Sequence, residues 1–220
     1  ISDLVNTGIY ILSPQVMKLC TGKGAEDFAK DIFPQVLKKN MRFFGYETDR
    51  YWCDIGEATA SLSANRAVLR RETELELSVP ELKQGIFVAR DAVLEDHVKL
   101  LSPVYIGPGC FIGHDAVVGP DTVIGAGCCV EAHGQISDSI LWDNCSIAKG
   151  STVDRSILCA GVQLKESIIS NGAVLGGHVT VGAYSYIARG VRIWPDVAIS
   201  DAQTVTQSIT ESGETAPYRF

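Results

Sequence analysis

A period of six governs the second half of this chain. Val88, Leu94, Leu100, Ile106, Ile112, Val118, Ile124, Val130 and Ile136 follow one another at six-residue steps without exception. A second run, Leu175, Val181, Ile187, Ile193 and Ile199, keeps the same step. Between the runs the period shortens by one residue at Ile136 to Leu141, at Val153 to Leu158 and at Leu164 to Ile169. Leu141, Ile147 and Val153 carry the step between the first two slips, and Leu158 and Leu164 between the second and third. Four residues after each aliphatic the side chain is small or β-branched: Ala92, Val98, Val104, Cys110, Ala116, Thr122, Cys128 and Gly134. After the slips the position holds Cys145, Ser151, Ala173, Val179, Ser185, Val191 and Val197. An internal repeat this regular outranks every other fold signal. Two inward positions per six residues, one large and one small, fit a triangular coil. Three short parallel strands make each turn, and successive turns hydrogen-bond at the usual strand spacing. Glycine at the next position (Gly107, Gly113, Gly119, Gly125, Gly182) is expected at corners where backbone strain penalises a Cβ.

The pattern resembles the hexapeptide-repeat β-helix of many transferases. That resemblance implies left-handed winding, an exception to the right-handed crossover rule. The expected fold is therefore mainly β: a left-handed parallel β-helix over residues 88–199. The same register places Cys110, Cys128 and Cys145 at the small buried position, where cysteine acts as a modest hydrophobe. Cys128 and Cys129 are adjacent, point to opposite sides of a strand and cannot share a metal. No paired zinc-ligand spacing is present.

Composition narrows the partners. A net charge of −7 with no Lys/Arg cluster beyond Lys38-Lys39 and Arg70-Arg71 argues against nucleic acid. No run of 18 apolar residues suits a membrane span, and no charged-then-apolar signal opens the chain. Seven cysteines without a secretory signal suggest a reducing cytoplasm. The chain opens at Ile1 rather than Met, and its first element begins almost at once, as in a fragment of something longer.

Before the repeat the pattern changes. Residues 4–12 (LVNTGIYIL) read as a buried strand. Residues 26–39 read as a helix with Phe28, Ile32, Phe33, Val36 and Leu37 on one stripe, kinked or restarted at Pro34. Residues 42–48 and 51–55 read as short strands, 57–72 as a helix, and 73–87 as a linker containing Pro80.

NTGIYILSP at 6–14, DFAKDIFP at 27–34 and GYETDRYWCDIGEATASLSANRAVL at 45–69, followed by a hexapeptide β-helix, resemble the sugar-1-phosphate nucleotidyltransferases. The nearest branch by this resemblance is mannose-1-phosphate guanylyltransferase. The resemblance implies that residues 1–72 are the C-terminal part of an α/β catalytic domain. It also implies formation of a nucleoside-diphosphate sugar, with release of pyrophosphate, from a nucleoside triphosphate and a sugar 1-phosphate. Catalysis there is mainly positioning and charge neutralisation, with Mg²⁺ as cofactor. The aspartate of the family's W-x-D-x-G segment, a metal ligand, falls on Asp54. Asn6, Thr7 and Gly8 match the segment that lines the sugar pocket, where a carboxamide can bond sugar hydroxyls. From the residues alone, Asp54 reads first as a strand-terminal carboxylate capping the helix that follows, and only the resemblance turns it into a metal ligand; Asp27 and Asp31 read as helix-start charges. The family's usual Thr-Pro-Glu after D-x-G is replaced here by Glu57-Ala58-Thr59.

The family's Gly-rich nucleotide loop is absent from residues 1–87, as is its second metal carboxylate. No catalytic residue is therefore assigned, and the isolated chain is expected to be inactive. Apolar surface is expected to be uncovered where central strands should pack. Three rival readings stand beside this one. A hexapeptide acyltransferase would use a His base, from His97, His114, His133 or His178, all at coil corners. A carbonic-anhydrase-like zinc site would need three converging histidines. His97, His114 and His133, 17 and 19 residues apart, are expected to line a ridge instead. The third rival is a non-catalytic assembly or regulatory subunit of the same architecture. The β-helix is expected to support homo-oligomerisation, and residues 200–220 to form a polar tail.

Overall fold

Three faces, each seven parallel strands deep, enclose the interior of residues 86–205 in the computed structural model, which describes residues 4–22 and 24–210. Every coil contributes one strand of two or three residues to each face, so coil n hydrogen-bonds only to its neighbours. This is the left-handed parallel β-helix that the repeat implies. The chain forms two compact units, residues 1–52 and 53–220, and the β-helix lies in the second.

Each face buries one column of large side chains. The first holds Ile106, Ile124, Leu141, Leu158 and Leu175; the second holds Ile112, Val130, Ile147, Leu164 and Val181. The third runs Val118, Ile136, Val153, Ser170, Ile187, and here the structure corrects the expected register. Ile169, the residue expected to point inward, is exposed, and Ser170 takes its place at 0% exposure. A hydroxyl is tolerated there because Ser170 Oγ lies 3.1 Å from Ser156 Oγ, so neither polar atom is stranded. The third shortening therefore falls between Ser170 and Leu175 rather than between Leu164 and Ile169. All three shortenings now share one corner, between the third face and the first, where Asp138, Arg155 and Gly172 take φ of 48°, 48° and 65°.

The corner glycines are required for a different reason than expected. Of Gly107, Gly113, Gly119, Gly125 and Gly182, only Gly119 has positive φ, at 101°. At Gly113 a Cβ would stand 2.7 Å from the Ala132 nitrogen on the next coil, so close backbone approach excludes a side chain. Gly119 combines both demands, since its Cβ would fall 1.9 Å from the Leu101 carbonyl oxygen. Gly119→Ala is expected to lower stability by about 2 kcal/mol or more; the urea midpoint measures it, and an unchanged midpoint would contradict the geometry.

Cys110, Cys128 and Cys145 stack at the small inward position, each 1% exposed. Each thiol faces a carbonyl on the following coil: Gly125 at 2.9 Å, Trp142 at 3.1 Å and Cys159 at 3.2 Å. The bond with Cys128 and burial push the Cys110 thiol up. The contact with Cys110 favours the Cys128 thiolate, yet its bond with Cys145 and burial outweigh this and push Cys128 up to about 12. The bond with Cys128 instead pulls the Cys145 thiol down. All three are buried, so a water-soluble disulfide reagent is expected to spare them in the native chain for want of access and to react with them only in denaturant.

In the first unit, α1 (Pro14–Met17), a π-helical turn (Phe28–Ile32) and α2 (Phe33–Lys38) surround a small core of Val16, Ile32 and Val36. Pro34 sits in the first turn of α2, so the helical pattern restarts there rather than kinking. Asp27 caps the π-helical turn by accepting from the Lys30 N–H at 2.9 Å, and Asp31 accepts from the Asp27 N–H at 2.8 Å. Residues 4–12, 42–48 and 51–55 are not strands. None of them joins a strand ladder among the described residues, and a strand exists only by pairing. Their apolar side chains are correspondingly bare: Ile9 is 76% exposed, Ile11 101%, Phe44 82% and Tyr46 93%.

In the second unit, α3 (Ala58–Leu69) lies on the first face of the β-helix, with Leu62 packed against Ile140 and Ile157. Arg66 forks onto the Asp138 carboxylate, its Nε donating at 2.7 Å, and Arg70 donates to Asp121 at 3.1 and 2.8 Å. Arg71 reaches Glu81 and lies over the Phe87 ring. Arg66→Ala is expected to cost about 1 kcal/mol, read as a lower urea midpoint; no change would mean that Leu62 and the Arg70 pair hold the helix without it. Residues 73–87, expected as a linker, instead include a hairpin (Glu81–Lys83 with Ile86–Val88), and Val79, Phe87 and Ala89 form a small cluster there.

Candidate functional site

Asp54 lies in the extended stretch that enters α3, and its side chain is exposed. The N-cap of α3 is Glu57, whose side chain makes no cap bond, so Asp54 is not the capping residue. A Cβ on Gly56 would stand 3.8 Å from both carboxylate oxygens, which places them over the bare flank of that glycine. A hard, exposed carboxylate with open space beside it suits Mg²⁺, which takes one or two protein carboxylates and fills its shell with phosphate oxygens and water. Asp54 would supply one such ligand; it is not in the one group of three or more possible ligands found among the described residues.

Asn6, Thr7 and Gly8 lie in the first unit, with Thr7 half-buried and the other two exposed. The Asn6 carboxamide is partly spent on its own loop. Its Oδ1 accepts from the Gly8 N–H at 3.0 Å, and its Nδ2 donates to the Tyr10 hydroxyl at 2.8 Å. The first bond makes an Asx turn that Gly8 completes with φ of 74°. The Tyr10 ring packs edge-on to Phe33, with centroids 4.9 Å apart, so the aromatic cluster fixes where Asn6 points. These two bonds use half of the amide's four hydrogen-bonding positions and leave capacity for a hydroxyl.

The four histidines sit at corners, as expected, but not equivalently. His178 belongs to the corner between the first and second faces, whereas His97, His114 and His133 share the corner between the second and third. The ridge expected for these three is only part of the arrangement. His97, Asp115 and His133 are 18 residues apart, one coil each, and stack in register, while His114 precedes Asp115 in the chain. The His114 and His133 rings meet edge-on with centroids 5.1 Å apart. Spacing counted between histidines alone missed Asp115, the residue that joins them; the 18-residue coil was the signal that could have found it.

Among the described residues no helix is long and apolar enough to cross a membrane.

Residues 1–71 match the family model described as nucleotidyl transferase, and residues 83–187 match one described as the EIF2B subunit epsilon LbH domain. A UTP–glucose-1-phosphate uridylyltransferase of Synechocystis sp. is 27% identical over 204 residues, covering 91% of this chain and 47% of that protein. A glucose-1-phosphate adenylyltransferase of Desulfitobacterium hafniense is 26% identical over 192 residues, covering 84% of this chain and 44% of its own length. One from Bacillus cereus is 24% identical over 220 residues, covering 94% and 50%. Among solved structures, a mutant of GDP-perosamine N-acetyl transferase from Caulobacter crescentus superposes with a TM-score of 0.40 and 18% identity, over 78% of this chain and 69% of that one. The chain thus resembles the sugar-1-phosphate nucleotidyltransferases, its first third matching the nucleotidyl transferase model and its remainder a left-handed β-helix. It spans about half the length of the curated relatives it matches.

Proposed function

We propose that this chain is the C-terminal portion of an enzyme that joins a nucleoside triphosphate to a hexose 1-phosphate. The observation that carries the reading is the nucleotidyl transferase match over residues 1–71, which runs through Asp54 and α3. In that reaction a phosphate oxygen of the sugar 1-phosphate attacks the α-phosphorus. A new P–O bond forms, the bond from the α-phosphorus to the bridging oxygen breaks, and pyrophosphate leaves. Mg²⁺, held in part by Asp54, would neutralise the phosphate charge. Asn6 would bond a sugar hydroxyl with the half of its amide that the loop does not use, and Thr7 and Gly8 would shape the wall beside it.

The bare apolar segments at residues 4–12 and 42–55 would pack against the upstream half that the longer relatives possess, which also explains the expectation that this chain alone does not turn over. The finer assignment, GTP and mannose 1-phosphate, rests on motif resemblance; the matched relatives carry glucose 1-phosphate in their names. Placement in the cytoplasm and self-association through the β-helix are parts of the same reading. Pyrophosphate release with Mg²⁺ tests it, crossing four nucleoside triphosphates with mannose and glucose 1-phosphates, on the protein extended upstream of Ile1. Turnover with one pair names the substrates; inertness with every pair removes the transferase reading.

A second reading has its own support in the match of residues 83–187 to the EIF2B epsilon domain. It makes the β-helix part of a non-catalytic assembly subunit, and it predicts an inert extended protein that still self-associates or binds a partner subunit.

A further inference from the structure

We propose that the corner formed by His114, Asp115 and His133 binds a divalent transition cation of the Zn²⁺ type. One ligand atom from each of the three residues lies within 4.8 Å of the others. A tetrahedral zinc ion with ligands at about 2.0–2.1 Å holds them about 3.3 Å apart. All three side chains are about half exposed, so small rotations close that gap without moving the coils. The donor set, two imidazoles and a carboxylate, suits zinc and leaves a fourth position open.

The surroundings orient these donors. The Asp115 carboxylate turns Oδ2 toward His133 Nδ1 at 3.9 Å and Oδ1 toward His97 Nδ1 at 3.7 Å. His97, stacked one coil earlier, faces the Asp115 carboxylate but stands outside the group of three, so water is left to fill the fourth position. Glu95 accepts from the His114 backbone N–H at 2.8 Å and lies 3.5 Å from its Nδ1, the outer carboxylate that ligating histidines commonly use. The ligands come from consecutive coils whose interiors are held by separate hydrogen-bonded faces, so the scaffold is rigid before the ion arrives. The site is independent of the transferase reading, since none of its residues belongs to the segment that matches nucleotidyl transferase.

The test is calorimetric titration of the reduced chain with Zn²⁺, together with the absorption spectrum of the Co²⁺ form. The cobalt spectrum separates this site from the seven cysteines, because a nitrogen and oxygen shell gives no thiolate charge-transfer band. One saturable equivalent per chain is expected, without that band. His114→Gln and His133→Asn should each weaken binding by about tenfold or more, with unchanged circular dichroism. Asn is chosen at 133 because it tolerates the left-handed backbone there, φ 60°. His178→Asn, at another corner, should bind as the parent does. Absence of saturable binding, a thiolate band, or full affinity in both variants overturns the proposal.

Discussion

Leu141→Asp is expected to abolish the folded β-helix. Leu141 is 1% exposed in the middle of the first face, with Ile124 paired below it and Leu158 above, both at 0%. Removing the side chain alone, as in Leu141→Ala, should cost about 2–5 kcal/mol. An aspartate adds an unpaired charge in a column where every neighbour is aliphatic, several kcal/mol more, and the total exceeds what coil-to-coil contacts of this kind can absorb. Stability here is shared between nearest-neighbour coils, so a break at the centre separates the stack into two short arrays. Far-UV circular dichroism and urea titration read the result. Gln163→Asp on the outer side of the second face is the control, expected within about 0.5 kcal/mol of the parent. A folded Leu141→Asp chain with the parental midpoint would mean that Leu141 does not face the interior.

In the protein extended upstream of Ile1, Asp54→Asn is expected to lower kcat roughly 10²-fold, the scale at which misplacing a reacting group is felt. The change keeps the size of the side chain and its exposure, so the urea midpoint should hold. An amide oxygen carries no formal charge, and Mg²⁺ binding weakens; raising Mg²⁺ should therefore restore part of the rate. Glu76→Gln, an exposed carboxylate removed by the same chemistry, should leave turnover as it was. Undiminished kcat in Asp54→Asn would remove Asp54 from the metal site while leaving the transferase reading to the substrate panel.

The six-residue period was legible because every inward position of a β-helix sees the same environment, and fourteen consecutive choices, Val88 to Leu164, agree. It misled only at Ile169, where two apolar residues, Ile168 and Ile169, precede a serine and polarity argued for the wrong one. The structure chose Ser170 because a hydroxyl can be satisfied inside the β-helix by Ser156, which no single-residue preference records. The glycines were found at the right places for an incomplete reason: crowding between coils is a non-local fact, whereas backbone freedom is local. Residues 4–12 and 42–55 have strand composition, but pairing requires a partner, and composition cannot supply one. Of the candidate site, Asp54, Asn6, Thr7 and Gly8 came from motif resemblance. What the structure adds is that Asp54 does not cap α3 and that half of the Asn6 amide holds its own turn.

The way α3 meets the corners between the third face and the first has a further consequence. Arg66 and Arg70 are one turn apart, about 6 Å along the helix, close to the roughly 4.8 Å pitch of the coils. The helix and the corner column therefore act as two rulers of nearly equal division. Read along the column, the marks are Asp121, Asp138 and then Arg155. Sliding the helix one division toward the C-terminal coils would bring Arg66 against Arg155, and sliding it the other way would leave Arg70 without Asp121. Only the observed alignment seats both guanidinium groups on carboxylates, so the charge sequence of the corners works as a combination that the helix can satisfy at a single setting.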